Sequence, residues 1–354
     1  MKAVFHVITT INRGGAENQL LVLAQEQVNS GLEVHIVYLK GEPELEFEFI
    51  RMGAKVHHDL AFKHPIFQPV ALWKLIGNSK PVVHAHLPRA ELVSLSCPAK
   101  VKLVTSRHNS EPFFPGAPKS VSNFLSRLVE LRSIRIIAIS ENVKEFLVDR
   151  GEVRNGNSIE VVLYGYKTHY STSERADRKR TVVRRLGTIS RLANQKDIPT
   201  MLNAFKEFRH NHPEATLSVL GAGPLEKSLK ELVNQINLEN SVIFAGRSSK
   251  IYEFLISLDV FILTSKYEGF GMVLLEAMDS GTPILASNNS AIPEVLGTDF
   301  SGLCITGDSS DFASKLESLV DPNFRQSILN QQEARLKLFD SKKMCKKISV
   351  IYSL

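Results

Sequence analysis

Short apolar runs alternate with amphipathic stretches, break off at a polar basic segment, and then alternate again. That double series is what most constrains the fold. In the first series, strand-like runs fall at residues 4–9, 33–39, 81–85, 101–105, 135–139 and 160–163. Several are apolar on successive residues, as expected of parallel strands covered on both faces. Residues 16–30 between them read as a helix, with Leu20, Leu23, Ala24 and Val28 at helical spacing and Gly31 as its stop. Residues 168–185 (THYSTSERADRKRTVVRR) carry no apolar periodicity and read as a linker. The second series places strands at 185–189, 216–220, 242–245, 260–264 and 283–286, and helices at 198–209, 225–236, 250–257 and 271–280. The expectation is two doubly wound α/β domains, residues 1–167 and 186–335, joined by a linker at 168–185, with residues 336–354 a terminal helix crossing back to the first domain. In such sheets ligands bind at the carboxyl ends of the strands, and two such domains predict a cleft.

Composition supports this reading. At 354 residues the chain is longer than one core usually sustains. Its 43% hydrophobic and 23% charged residues exclude a disordered or collagen-like chain. Cys97, Cys304 and Cys345 are too far apart for a disulfide framework or a cysteine metal site and fit a reducing, cytoplasmic setting. No apolar run approaches the ~20 residues that span a bilayer. The start, MKAVFHVITTINRGG, reads as a buried first strand, not a signal peptide. Residues 1–173 hold 20 Lys and Arg against 16 Asp and Glu, and the last fourteen residues add four lysines and no acid. This balance suits an anionic partner, such as phospholipid or a phosphorylated acceptor, on the first half and the tail. No stripe of basic residues with interleaved aromatics is present, which argues against a nucleic-acid binder.

The most informative segment is residues 259–281, DVFILTSKYEGFGMVLLEAMDSG. A buried strand ends near Thr264 and a helix begins near Gly271, so the loop between them sits where ligands bind. Gly269 and Gly271 permit close backbone approach, and the helix start favours an anion. Glu268 on the loop and Glu276 in the helix can face one ligand at different depths. Carboxylates repel phosphate, so sugar hydroxyls suit them better. A second segment, GTISRLANQK at 187–196, places Arg191 and Lys196 after the first strand of the second domain. An arginine fork and a lysine point charge suit a diphosphate that no metal neutralises. The chain has no Asp-x-Asp clamp and no GxxxxGK[ST] loop, so neither a metal nor a P-loop is expected.

Together these residues resemble the GT-B glycosyltransferases, in particular family 4 of the retaining enzymes that use nucleotide-sugar donors. The resemblance is carried by Glu268 and Glu276, by Arg191 and Lys196, by GAGP at 221–224, by Gly14, Gly15 and Glu17, and by HAH at 84–86. It covers nearly the whole chain. It implies the GT-B architecture, two Rossmann-like domains facing a central cleft. It also implies that Glu276 binds the ribose hydroxyls and Glu268 those of the transferred sugar. Backbone around Gly269, Phe270, Gly271, Met272 and Val273 then lines sugar and diphosphate, Arg191 and Lys196 neutralise the leaving phosphate, and backbone near Arg247 meets the base. Gly15 approaches the phosphates from the first domain. His108 matches the family's active-site histidine, touching the sugar or supporting charge through backbone or ring, and His84, His86 and Asn109 fall on the acceptor side.

Two departures stand out. Tyr164-Gly165 replaces the usual Asn-Gly after the last strand of the first domain, and Asp197 stands where a glycine follows the lysine, as a potential partner of Lys196. Elsewhere, Val121, Phe124, Leu125, Leu128 and Leu131 fall at helical spacing near Arg127, Arg132 and Arg135, after Phe113 and Phe114. The preferred reading packs this stripe on its own sheet; the other is an interfacial patch on anionic lipid. The expected activity is transfer of a hexose or N-acetylhexosamine from a nucleotide-sugar, with UDP favoured, to a growing bacterial surface polysaccharide or lipid-linked oligosaccharide. It is expected to retain configuration, to need no metal, and to occur in the cytoplasm, with peripheral membrane contact left open. The alternatives are a sugar-nucleotide epimerase on the same fold and a non-catalytic sugar-nucleotide binder.

Overall fold

The computed structural model describes residues 2–77, 80–169 and 182–354. Most of the expected linker, residues 170–181, lies outside these. The chain forms two compact units, one of Met1–Lys167 with Phe339–Leu354 and one of Thr168–Leu338.

The first unit is built on a parallel sheet of seven strands: β1 (Ala3–Ile8), β2 (Glu33–Tyr38), β3 (Lys55–His57), β4 (Val82–His86), β5 (Lys102–Arg107), β6 (Arg135–Ala138) and β7 (Ile159–Val161). Their order is β3-β2-β1-β4-β5-β6-β7, so the winding reverses between β1 and β4. The short edge strand β3 escapes the sequence reading because three residues, one an exposed lysine, carry no period. One face packs Val4, Ile8, Ile36, Val82, Val104 and Ile137 under the helix Gly15–Asn29 and the terminal helix Ser341–Ser353. The other packs Phe5, Val7, Val37, Val83, Ala85 and Leu103 under Gln68–Ile76 and Pro88–Ser94. Covering both faces is why these strands read as apolar runs rather than alternating ones.

The terminal helix is held at both ends. Asp340 caps it by accepting from the Lys343 amide, and Ser341 Oγ donates to Glu26 Oε1 at 2.8 Å. Lys102 Nζ reaches the last carbonyls, those of Tyr352 and Ser353, at 3.3 and 3.2 Å, where a cation complements the helix dipole.

The helix Lys119–Arg132 departs from the preferred sequence reading. It buries Ser122, Ser126 and Val129 and exposes Val121, Phe124, Leu128 and Leu131, Phe124 at 62% and Leu131 at 84%. The cause lies beneath it. Arg107 is buried between Glu91 (Nε to Oε2, 2.9 Å) and Glu152 (3.5 Å), and its remaining nitrogen donates to Ser126 Oγ at 3.0 Å. Ser122 Oγ accepts from the Phe114 amide at 3.2 Å. A buried guanidinium must have its donors met. That demand turns the serine face inward and leaves the apolar stripe outside.

The second unit carries a parallel sheet of six strands: β8 (Arg185–Ile189), β9 (Thr216–Leu220), β10 (Val242–Gly246), β11 (Val260–Leu263), β12 (Ile284–Ser287) and β13 (Leu303–Cys304). The order β10-β9-β8-β11-β12-β13 reverses between β8 and β11. All three cysteines are free and buried, and among the described residues no helix is long and apolar enough to cross a membrane.

Candidate functional site

In doubly wound sheets the crevice lies at the carboxyl ends of the two strands where the winding reverses. In the second unit those strands are β8 and β11, and their loops carry Arg191, Lys196 and Glu268. Hydrogen bonds lace the two loops together. Thr264 Oγ1 donates to the carbonyls of Lys196 and Asp197, each at 3.0 Å, the Lys266 amide donates to Gln195 O at 2.8 Å, and Gln195 Nε2 donates to Tyr267 O at 2.9 Å. The loop after β9 closes against them so tightly that only glycine fits. A Cβ on Gly221 would stand 1.9 Å from Ser190 O, and one on Gly223 2.3 Å from Leu192 O. The Gly221 amide donates to Gly246 O at 2.7 Å, which ties in the end of β10 and the exposed Arg247 beyond it.

The charged groups of these loops are arranged unequally. Lys196 Nζ donates to Glu268 Oε1 at 2.5 Å, and Ser265 Oγ donates to the same oxygen at 2.7 Å. The Glu268 amide donates to Ser290 Oγ at 2.7 Å, which holds the backbone of the residue as well as its carboxylate. Asp197 is not the partner of Lys196 that the sequence suggested. It lies in the left-handed region at φ +45°, accepts from Thr200 Oγ1 at 2.9 Å and sits 3.5 Å from Lys266 Nζ. Arg191 is exposed, with no side-chain partner among the described residues.

Gly271, at φ +83°, is the N-cap of the helix Met272–Asp279, whose first turn offers the amides of Met272 and Val273. Phe270 is buried beneath it, next to Gly269 on the loop. Glu276, in the middle of the helix, has no hydrogen-bond partner among the described residues. Burial pushes its carboxyl up to about 7, opposed by nearby His169. His169 is itself turned towards Asp279, with Nδ1 3.3 Å from Oδ2. An acid of this kind, desolvated and unsatisfied, is a candidate for accepting hydrogen bonds from a ligand.

In the first unit, Gly14 caps the helix Gly15–Asn29, and Gly15 opens onto free space. Glu17 accepts from Thr10 Oγ1 at 2.7 Å, and burial raises its carboxyl. His108 lies just past β5 with both ring nitrogens engaged: Nδ1 meets the Tyr164 hydroxyl and Nε2 lies 3.1 Å from His86 Nδ1. The expectation that His84 and His86 front an acceptor needs correction. Both are buried on the β4 face covered by the terminal helix, and their rings bond Tyr352, Ser106, His6 and His108. Asn109 is exposed and donates to Glu111 Oε2 at 2.8 Å.

Sequence reasoning passed over His6, Gln27, Tyr164 and Tyr352. The signals were present as polar residues in apolar company: Gln27 on the buried side of its helix, and Tyr164 at a position that departs from the family pattern.

Residues 172–335 match the model of the family described as Glycosyl transferases group 1, and residues 13–170 match that described as Glycosyltransferase Family 4. The chain belongs to this glycosyltransferase family, and its fold is GT-B. It is 25% identical over 290 residues to the N-acetyl-alpha-D-glucosaminyl L-malate synthase of Bacillus anthracis, covering 76% of this chain and 73% of that one. It is 26% identical over 162 residues, 45% of this chain and 44% of the relative, to the Campylobacter jejuni N-acetylgalactosamine-N,N'-diacetylbacillosaminyl-diphospho-undecaprenol 4-alpha-N-acetylgalactosaminyltransferase. In fold it matches Anabaena HepE, solved in complex with UDP-glucose, at a TM-score of 0.82 and 18% identity over the full length of both chains.

Proposed function

We propose that this glycosyltransferase moves a hexose or N-acetylhexosamine from a UDP-sugar to a hydroxyl of a growing bacterial glycan, with retention of configuration and without a metal. The observation that carries the donor assignment is Glu276, half-buried, desolvated and without a hydrogen-bond partner among the described residues, in the helix that follows the β11 loop. It accepts hydrogen bonds from the ribose hydroxyls. Glu268 takes the hydroxyls of the sugar, and the amides from Phe270 to Val273 approach sugar and diphosphate. Arg191 and Lys196 face the diphosphate, and backbone near Arg247 meets the base. Gly15 and His108 keep the roles that the family resemblance implies for them.

The acceptor oxygen bonds the anomeric carbon as the bond to the diphosphate breaks. The acceptor proton passes to the leaving phosphate oxygen on the same face, so no protein nucleophile is used. Catalysis is then positioning together with stabilisation of the departing charge. Relatives support the choice of substrates: HepE was solved with UDP-glucose, and the Campylobacter jejuni relative is named for an undecaprenol-linked acceptor.

Peripheral contact with an anionic membrane belongs to the same reading. It draws support from the exposed stripe Phe124, Leu128 and Leu131, and from Phe62, Ile66, Phe67 and Trp73 exposed among Lys63 and Lys74.

The test is a screen of UDP-glucose, UDP-galactose, their N-acetyl forms and GDP-mannose without added metal, by calorimetry and slow hydrolysis. Selective binding of one UDP-sugar, lost in Glu276→Ala, is the expected result. A sugar altered without any acceptor would indicate an epimerase, and no binding to folded protein would overturn the donor site.

A further inference from the structure

Three buried imidazoles of the first unit and the half-buried ring of His108 form one line of hydrogen bonds across its three central strands. His6 lies on β1, His84 and His86 on β4, and Ser106 at the end of β5 precedes His108 by two residues. Burial holds the rings neutral, His6 down to about 4, His108 to about 3, and His84 and His86 well below the ordinary histidine value. A neutral imidazole has one donor and one acceptor nitrogen, so fixing one bond fixes the next.

Gln27 supplies the fixed point. His6 Nε2 lies 2.7 Å from Gln27 Oε1, which can only accept, so His6 carries its hydrogen on Nε2 and leaves Nδ1 bare. His86 Nε2, 3.0 Å from that nitrogen, must donate to it. His86 Nδ1 is then bare and takes the hydrogen of His108 Nε2 at 3.1 Å. His108 Nδ1, bare in turn, accepts from the Tyr164 hydroxyl.

On the other side, Gln27 Nε2 donates to the Tyr352 hydroxyl oxygen at 3.2 Å. Tyr352 passes its own hydrogen to His84 Nδ1 at 2.6 Å, and His84 Nε2 donates to Ser106 Oγ at 2.7 Å. Every bond points the same way, from Tyr164 to Ser106. Turning the Gln27 amide over would reverse them all, so the orientation of this one amide sets the polarity of the whole line.

We propose that Gln27, His6 and His86 are positioning residues that fix His108 in a single neutral tautomer, with its hydrogen on Nε2, while Tyr352 of the terminal helix fixes His84 through the other arm. This rests on the reading above that His108 belongs to the transfer site. It also changes what His108 can do there. With both nitrogens spent inside the unit, the ring is neither acid nor base, and what it presents to substrate is its backbone and ring edge.

A metal is the competing occupant. Ligand nitrogens of His6, His84 and His86 come within 4.8 Å of one another. All of them, however, are already paired, and no carboxylate is among their partners to offset a buried divalent charge.

The test uses the full chain labelled with 15N-histidine, reading tautomers from ring-nitrogen shifts at pH 7, with circular dichroism to establish folding. In the unaltered protein the four rings are expected to be neutral with hydrogen on Nε2; hydrogen on Nδ1 of His6, His86 or His108 overturns the proposal without needing any variant. In Gln27→Leu, His108 is expected to lose its single tautomer, and the kcat of donor hydrolysis to fall about tenfold with KM unchanged. In Tyr352→Phe, His84 is expected to change while His108 keeps its shifts. An unaltered His108 in folded Gln27→Leu contradicts the proposal, as does stoichiometric zinc that disappears in His6→Ala. The tautomers are read without donor, so a failed donor screen leaves them standing, and reversed tautomers leave donor binding at Glu276 standing.

Discussion

The two sheets reverse their winding at equivalent places, between β1 and β4 in the first and between β8 and β11 in the second, yet the polar groups there differ in kind. In the first unit they are neutral, buried or half-buried, and matched to one another, from Tyr164 through four histidines, Gln27 and Tyr352 to Ser106. In the second they are charged, and they end in one exposed arginine and one desolvated glutamate without a hydrogen-bond partner among the described residues. A closed set of hydrogen bonds fixes geometry and leaves its ring nitrogens with nothing to offer a ligand. A half-buried, desolvated carboxyl without a hydrogen-bond partner is suited to a ligand that supplies donors. On the proposed reading, the same topology serves as a rigid support in one unit and as a donor receptor in the other.

The largest expected effect separates the units by acidity. The four rings have folded pKa values below the unfolded 6.5, so between those values the unfolded chain binds more protons than the native one. Their contribution is therefore complete above pH 6.5 and is lost as pH falls towards about 4. Each ring adds a slope of about 1.4 kcal/mol per pH unit. Urea unfolding followed by fluorescence of Trp73, the single tryptophan and a residue of the first unit, should show this steep decline. A flat profile between pH 6.5 and 5 would break the contrast.

Next come the two glutamates. Glu276→Ala should weaken UDP binding by about 10–100-fold, the worth of a hydrogen bond to a charged group, without lowering thermal stability, because it removes an unsatisfied acid. Glu268→Ala should instead cost stability, since it leaves Lys196 without its partner. The basic pair gives a finer test. Arg191→Ala and Lys196→Ala should each lower turnover about 10–100-fold, but only Lys196→Ala should lower the melting temperature. Smallest is Phe124→Ser, on an exposed surface, with a stability change within about 0.5 kcal/mol and weaker sedimentation with anionic vesicles.

Much of the second unit was legible in the sequence. The strands 185–189 and 216–220 fall where the periodicity puts them, and Glu268, Glu276, Arg191 and Lys196 sit on the loops and helix expected of them. Loops at strand ends are local features, and their chemistry is visible residue by residue. What the sequence hid depends on distant partners. Tyr352 and Gln27 meet across 325 positions, and no spacing rule reports that. The helix Lys119–Arg132 misled for the same reason: its apolar stripe suggested packing, but the needs of Arg107 turned its serines inward. The pairing of Lys196 with Glu268, and of Asp197 with Lys266 and Thr200, likewise required the loops to be seen side by side.

The central claim is that Glu276 is the receptor's unsatisfied group, and it is tested most directly by titrating UDP into the full chain at pH 6, 7 and 8 in buffers of different ionisation enthalpy. Glu276 stands near pKa 7 when free, and hydrogen bonds from ribose hydroxyls favour its ionised form. Binding should therefore tighten as pH rises and release about half a proton at pH 7, an exchange absent in Glu276→Ala. UDP binding of equal strength at all three pH values, without proton release and unchanged in Glu276→Ala, would contradict the account.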